Sequence, residues 1–199
     1  MILVSCTRWP THVGIPWRSD EELLEISCMI MEQEQATKRI VASTIAMIFD
    51  LMDWMLPLLN KSKVFLRSLW RDKFDWDTAL PPDRKLEWQR ICECMNGFKK
   101  LNPRFLSMKH QQASLSTFAD ASNEAMAASV YLQSEESINL LFGKSKLPSL
   151  KHEATIPKME LNAMTLAVRV TNAVLTQLQS VMKIRQVYIF SDSESYSTG

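Results

Sequence analysis

Near residue 110 the spacing of apolar residues changes from threes and fours to strict alternation, and no other feature of this sequence restricts its fold as much. Upstream, Val41, Ile45, Ile48, Phe49 and Met52 predict an amphipathic helix from Thr37 behind the basic pair Lys38-Arg39. A second helix is predicted over 61–73, with Val64, Phe65, Leu69 and Trp70 inward and Lys63, Arg67 and Arg71 towards water. Leu80-Pro81-Pro82-Asp83 interrupts the pattern, and Asp83 can cap a third helix running to about Lys99 with Trp88, Ile91, Cys92, Met95 and Phe98 as its stripe. The segment before Thr37 has no sustained period and reads as loops, with short strands around 13–15 and 23–27. Downstream, 114–120, 125–133 and 137–146 read as a meander of three strands. Pro157 then sits in the first turn of a long helix ending near Met182, and 186–192 reads as a buried strand.

Composition removes several classes of function. The 199 residues include only four glycines, none spaced for a phosphate-cradling or dinucleotide-binding turn. The formal charge of +1 favours no class of partner. Cys6, Cys28, Cys92 and Cys94 have neither disulfide-framework nor zinc-site spacing and read as reduced thiols, which points to an intracellular chain, cytoplasmic or nuclear. His12, His110 and His152 are isolated. The start lacks the pattern of a secretory signal, and Asp50 and Asp53 interrupt the most apolar stretch, so no membrane segment is expected.

Three carboxylates stand where acids are normally avoided. Asp120 ends the first strand of the second half, Asp192 ends the fourth, and Glu160 opens the long helix with Ala163, Met164 and Ala167 on its own face. Singly, each reads as a turn, cap or first-turn residue. Jointly they would repel one another unless a divalent cation neutralised them, and oxygen-only ligands suit Mg2+ or Mn2+.

The ordered series Phe118-Ala-Asp-Ala-Ser122, Ala127-Ala-Ser-Val-Tyr131, Lys144-Ser-Lys146, Thr155-Ile-Pro-Lys-Met-Glu-Leu161 and Phe190-Ser-Asp-Ser-Glu194 resembles the ribonuclease H-like region of BEL/Pao retrotransposon polyproteins. The likeness continues upstream. The run Lys38 to Ala46 before Phe49-Asp50, Trp54, Pro57, Leu69-Trp70, Asp75-Trp76-Asp77 and Leu80-Pro81 resembles the segment joining that polyprotein's reverse transcriptase to its ribonuclease H-like part, and Gly14-Ile-Pro-Trp17 the end of the reverse transcriptase. The resemblance implies an α+β chain in three parts: a reverse-transcriptase remnant over 1–36, a helical connector over 37–110 and an incomplete ribonuclease H-like domain over 111–199. It also implies a two-metal site on Asp120, Glu160 and Asp192, where one ion lowers the pKa of an attacking water and the other steadies the leaving 3' oxygen of an RNA strand paired to DNA. Such a hybrid is recognised through shape, phosphates and 2'-hydroxyls, and Lys99, Lys100, Arg104 and Lys109 are the basic residues placed to touch phosphates.

Two departures qualify these expectations. The family's Pro-Leu-Gly turn is here Leu51-Met52-Asp53, so the turn is expected to be lost or absorbed into a longer helix. The sequence given ends at Gly199, soon after Asp192, and activity is therefore expected to be impaired by truncation. There is no Tyr-x-Asp-Asp polymerase motif and no Asp-Thr/Ser-Gly peptidase motif. The alternatives are a non-catalytic remnant that binds nucleic acid or protein, and a helical interaction module centred on the Trp-rich segment 54–88.

Overall fold

The computed structural model describes residues 15–30, 35–104, 112–135, 137–150 and 155–192, and within them the alternating half of the chain forms a four-stranded sheet. The chain divides into two compact units, one of residues 1–50 and 76–107, the other of 51–75 and 108–199. The stretch expected to form a single connector over 37–110 thus contributes to both.

In the first unit, β1 (Trp17–Arg18), β2 (Leu23–Cys28) and β3 (Phe98–Pro103) form an antiparallel sheet in that order. Two helices belong to this unit. In α1 (Lys38–Met47) the Thr37 hydroxyl caps the N-terminus by accepting from the Ile40 amide, and Val41 and Thr44 are buried. Trp76 lies under the cations of Lys38 and Arg39, and Arg39 holds the Asp77 carboxylate through two N–H donors at 2.6 and 2.9 Å. The other helix, α3 (Pro82–Met95), starts on proline and buries Trp88 and Met95. It ends earlier than the expected Lys99 because Gly97 adopts φ +77, a left-handed turn that glycine makes without strain. The Gly97 amide donates to the Cys28 carbonyl, and the next residue, Phe98, is already paired with Cys28 in β3. The expected basic connector after Gly97 is therefore largely a sheet strand. Of the short strands expected upstream, the one around 23–27 is β2; Val13 and Gly14 lie outside the described residues.

The second unit contains α2 (Leu56–Arg71), β4 (Gln112–Ala121), β5 (Met126–Gln133), β6 (Ile138–Lys146), α4 (Ile156–Leu178) and β7 (Lys183–Ser191). The sheet order is β6-β5-β4-β7, antiparallel except for the parallel pair β4 and β7. That is the strand, strand, strand, helix, strand order expected from the spacing. Alternation explains the layering: Leu115, Thr117 and Ala119 of β4 and Ala128, Val130 and Leu132 of β5 are buried on one face, where α4 presents Met159, Ala163, Ala167, Val170 and Thr171. Burial of this apolar layer stabilises the unit by roughly 25 cal/mol per Å2 of apolar surface removed from water.

Residues 51–56 join α2 to the outer strand, and this is the physical reason that 51–75 belongs with the sheet. Gly143 of β6 donates its amide to the Met52 carbonyl at 2.9 Å, and the Trp54 indole donates to the Leu141 carbonyl at 3.0 Å. Lys144 and Lys63 approach the Asp53 carboxylate at 3.0 and 3.5 Å. The turn at 51–53 is neither lost nor absorbed: α1 stops at Met47, and Asp53 occupies the left-handed region at φ +50, where the resembled family has glycine. Helix α2 starts at Leu56, earlier than expected, with proline in its first turn.

Candidate active site

The parallel pairing of β4 and β7 places Ala119 beside Ser191, and the next residue on each chain is an aspartate. Neighbouring strands lie about 4.8 Å apart, so Asp120 and Asp192 emerge at adjacent strand ends. Both are exposed, and both line a hollow of about 480 Å3 whose other walls include Phe118, Ser129, Phe190 and Ser191. Beyond Asp120 the chain reverses at once: the Ser122 amide donates to the Ala125 carbonyl, and the Ser122 hydroxyl accepts from the amides of Glu124 and Ala125. The Asp120 carboxylate accepts from the Ala121 amide at 2.6 Å. This compact turn holds the end of β4 at the rim of the hollow.

Phe118 and Phe190 line the hollow beside the two acids, and Tyr131 and Tyr188 extend the aromatic surface outside it. Phe118 and Phe190 stack with centroids 5.0 Å apart, Tyr131 meets Phe118 edge-on at 5.8 Å, and Tyr188 stacks on Phe190 at 6.1 Å. They stand on the sheet face opposite α4, since Phe118 alternates with the buried Thr117 and Ala119. Sequence reasoning did not assign these rings to the site. The signal was present in the aromatic alternation Tyr188, Phe190 beside Phe118, but it reads equally as ordinary strand composition.

The third expected carboxylate stands apart from this hollow. Helix α4 begins at Ile156, so Glu160 lies in the second turn rather than the first, and its interaction with the helix N-terminus is correspondingly weaker. It is half-buried next to Met159, three residues before the buried Ala163, and it is not part of the hollow's lining. Among the described residues, no three His, Cys, Asp or Glu side chains are arranged to hold a metal ion. The donor chemistry of Asp120 and Asp192 nevertheless fits a hard dication: two carboxylates on an open, water-accessible hollow suit Mg2+, which keeps several waters and commonly takes one or two carboxylates plus a substrate phosphate.

Of the expected phosphate-touching residues, Lys99, Lys100 and Arg104 belong to the other unit. Lys99 pairs with Glu25 at 2.7 Å, and Arg104 pairs with Glu22 at 2.8 Å while lying over the Trp17 ring at 4.4 Å. Lys99, followed by Arg18, holds the Glu25 carboxyl below the ordinary carboxylate range. Lys100 is exposed on β3 opposite Ile26. Lys109, Cys6 and the three histidines lie outside the described residues. Cys28, Cys92 and Cys94 are free thiols; burial pushes Cys92 up to about 11, which suits packing rather than nucleophilic chemistry. No described helix is long and apolar enough to cross a membrane.

Comparison with known proteins gives a family match over most of the chain: residues 37–193 match the family described as Pao retrotransposon-like RNaseH-like domain. No curated protein matches. Among solved structures the chain is similar to a foamy viral protease-reverse transcriptase dRH in complex with ds DNA, at 12% identity and a TM-score of 0.46, over 84% of this chain and 27% of that one. It is also similar to a foamy viral protease-reverse transcriptase in complex with dsDNA, at 12% identity and a TM-score of 0.29, over 86% of this chain and 34% of that one. The chain spans about a third or less of the length of either polypeptide.

Proposed function

The chain belongs to the family of Pao retrotransposon-like RNaseH-like domains, and from that premise we propose that it acts on the RNA strand of an RNA/DNA hybrid, with Asp120, Asp192 and Glu160 holding Mg2+ or Mn2+. The observation that carries the reading is the juxtaposition of Asp120 and Asp192 at the ends of the parallel strands β4 and β7, lining one hollow. A bound cation would supply the Lewis acidity that activates the attacking water and steadies the leaving 3' oxygen. The protein's own part is positional. The Ser122 turn holds the Asp120 rim, β7 carries Asp192 beside it, and the stacked rings of Phe118 and Phe190 give the two carboxylates an apolar neighbour surface.

Lys99, Lys100, Arg104 and Lys109 remain the phosphate contacts of this reading. Lys99 and Arg104 would have to exchange their carboxylate partners for phosphates, so their contribution should fall steeply with salt. Since Glu160 is not in the lining of the hollow, cleavage by this chain should be slow.

The test is cleavage of an end-labelled RNA/DNA hybrid against Mg2+ concentration. Asp120→Asn should lower the rate by at least tenfold, because it removes one of two charged donors from the shared hollow. Equal rates for parent and variant would retire the nuclease reading in favour of binding without cleavage.

A further inference from the structure

The hollow beside Asp120 and Asp192 owes its depth to small residues in register. On the sheet face opposite α4, Ala127 and Ser145 stand in line with Asp120, and Ser129 and Gly143 in line with Phe118. No side chain larger than serine therefore rises from β5 or β6 in these two rows. Larger groups bound this shelf on three sides. Tyr131 rises in the next row and meets Phe118 edge-on. The Asp53 backbone and the Leu56 side chain fill the space above Gly143. Phe118, two strand spacings or roughly 10 Å from Gly143, closes the third side and stacks on Phe190. Phe118, Phe190 and Tyr188 are 50%, 46% and 41% exposed, a contiguous aromatic surface of the kind that marks a binding face.

The lining decides what the hollow can take. Both aspartates belong to it and no described lysine or arginine does, so an anion enters only through a cation that the carboxylates hold. Phe118 and Phe190 add a flat apolar surface, and Ser129 and Ser191 add hydrogen-bonding groups at its margin. A flat heterocycle with polar edges, joined to a phosphate, matches this division of the walls. The spacing matches too: Phe118 is two residues before Asp120 on β4, about 7 Å, close to the span from the phosphate to the base of one nucleotide. The volume of about 480 Å3 lies within the range of small-ligand sites, roughly 300–1,000 Å3.

We propose that the hollow seats one unpaired nucleotide of the substrate strand, its base against Phe118 and Phe190 and its phosphate on the cation held by Asp120 and Asp192. This rests on the carboxylate site proposed above and narrows its substrate. A base must leave its partner to enter, so mismatched, frayed or single-stranded positions are taken more readily than paired ones. Stacking of a base on an aromatic side chain changes affinity by about 5- to 150-fold, enough to set that preference.

The test measures fluorescence anisotropy of two short labelled probes with the full chain in Mg2+: a fully paired RNA/DNA hybrid, and the same hybrid with one central mismatch. The parent should bind the mismatched probe at least threefold more tightly. Phe118→Ala should abolish that preference, and Phe118→Tyr, which keeps the ring, should retain it. If Phe118→Ala does not fold, Ala127→Leu carries the same test, because it fills the shelf while leaving every ring in place. An unchanged preference in Phe118→Ala and Ala127→Leu, with affinity still lost in EDTA and in Asp120→Asn, overturns the base seat and leaves the carboxylate site standing. Affinity for both probes that ignores EDTA and Asp120→Asn overturns that site, and the seat with it. A parent without the preference also overturns the seat; if that parent self-associates in size-exclusion chromatography and Phe118→Ala restores the monomer, the aromatic face belongs to a second copy of the chain.

Discussion

Asp53 combines an unfavourable backbone with favourable charge contacts. At φ +50 a side chain costs about 1 kcal/mol relative to glycine, although aspartate tolerates this region better than most residues. Its carboxylate, 14% exposed, meets Lys144 and Lys63. Asp53→Ala keeps the strain and loses both cations, whereas Asp53→Gly loses the cations but relieves the strain. Chemical denaturation should therefore rank parent, then glycine, then alanine, with alanine about 1 kcal/mol below glycine; alanine as stable as glycine would show that the backbone is not strained there. Glu25 offers a pH-dependent counterpart. Its folded pKa is lowered by Lys99 and Arg18, so its stabilising contribution is fully present above the unfolded value, about 4.3, and is lost as pH falls through the lower folded value. Comparing parent with Glu25→Gln, the stability difference at pH 7 should be on the order of 1 kcal/mol, since Lys99 is half exposed, and should shrink as pH falls below the unfolded value. A difference that does not shrink on acidification would assign the effect to packing instead.

The same substitution at two glycines should show how differently the elements are joined. At Gly97, between α3 and β3, a Cβ meets nothing within 4 Å, and only the φ of +77 opposes a side chain. Gly97→Ala should cost about 1 kcal/mol in thermal or denaturant unfolding. At Gly143 a Cβ would lie 2.7 Å from the Asp53 carbonyl oxygen and 2.9 Å from Leu56 Cδ1, so backbone must move and α2 must shift from β6. Gly143→Ala should cost more, about 2–3 kcal/mol, and a cost no greater than that at Gly97 would mean that the 51–56 segment yields easily. Legibility follows the same division. Spacing alone revealed α1, α3, α4 and the strands β4 to β7, because each buries one regular face. It did not reveal β3: Phe98 to Pro103 carries adjacent lysines and a proline, and becomes a strand only by pairing with β2, distant in sequence. Nor did it reveal the turn at Asp53, where a left-handed aspartate stands in for glycine. In the site, strand-end logic put Asp120 and Asp192 at one rim, while the placement of Glu160 depends on where α4 begins and how it sits on β4, which local pattern does not encode.

At the scale of the molecule, the chain passes between its two units at 50/51, 75/76 and 107/108. A protease site introduced between Ser107 and Met108 should therefore not release the sheet. Helix α2, covalently part of the N-terminal piece, stays bound to β6 through Met52, Asp53 and Trp54, and the cut protein should elute as one species in native size-exclusion chromatography. Two separate peaks would show these contacts too weak to hold the pieces together. The threaded path also bears on inheritance. A single recombination breakpoint inside codons 51–107 would divide both units between two parents, whereas one outside that stretch divides a single unit, so template switching during copying should yield viable chimaeras chiefly from breakpoints outside it.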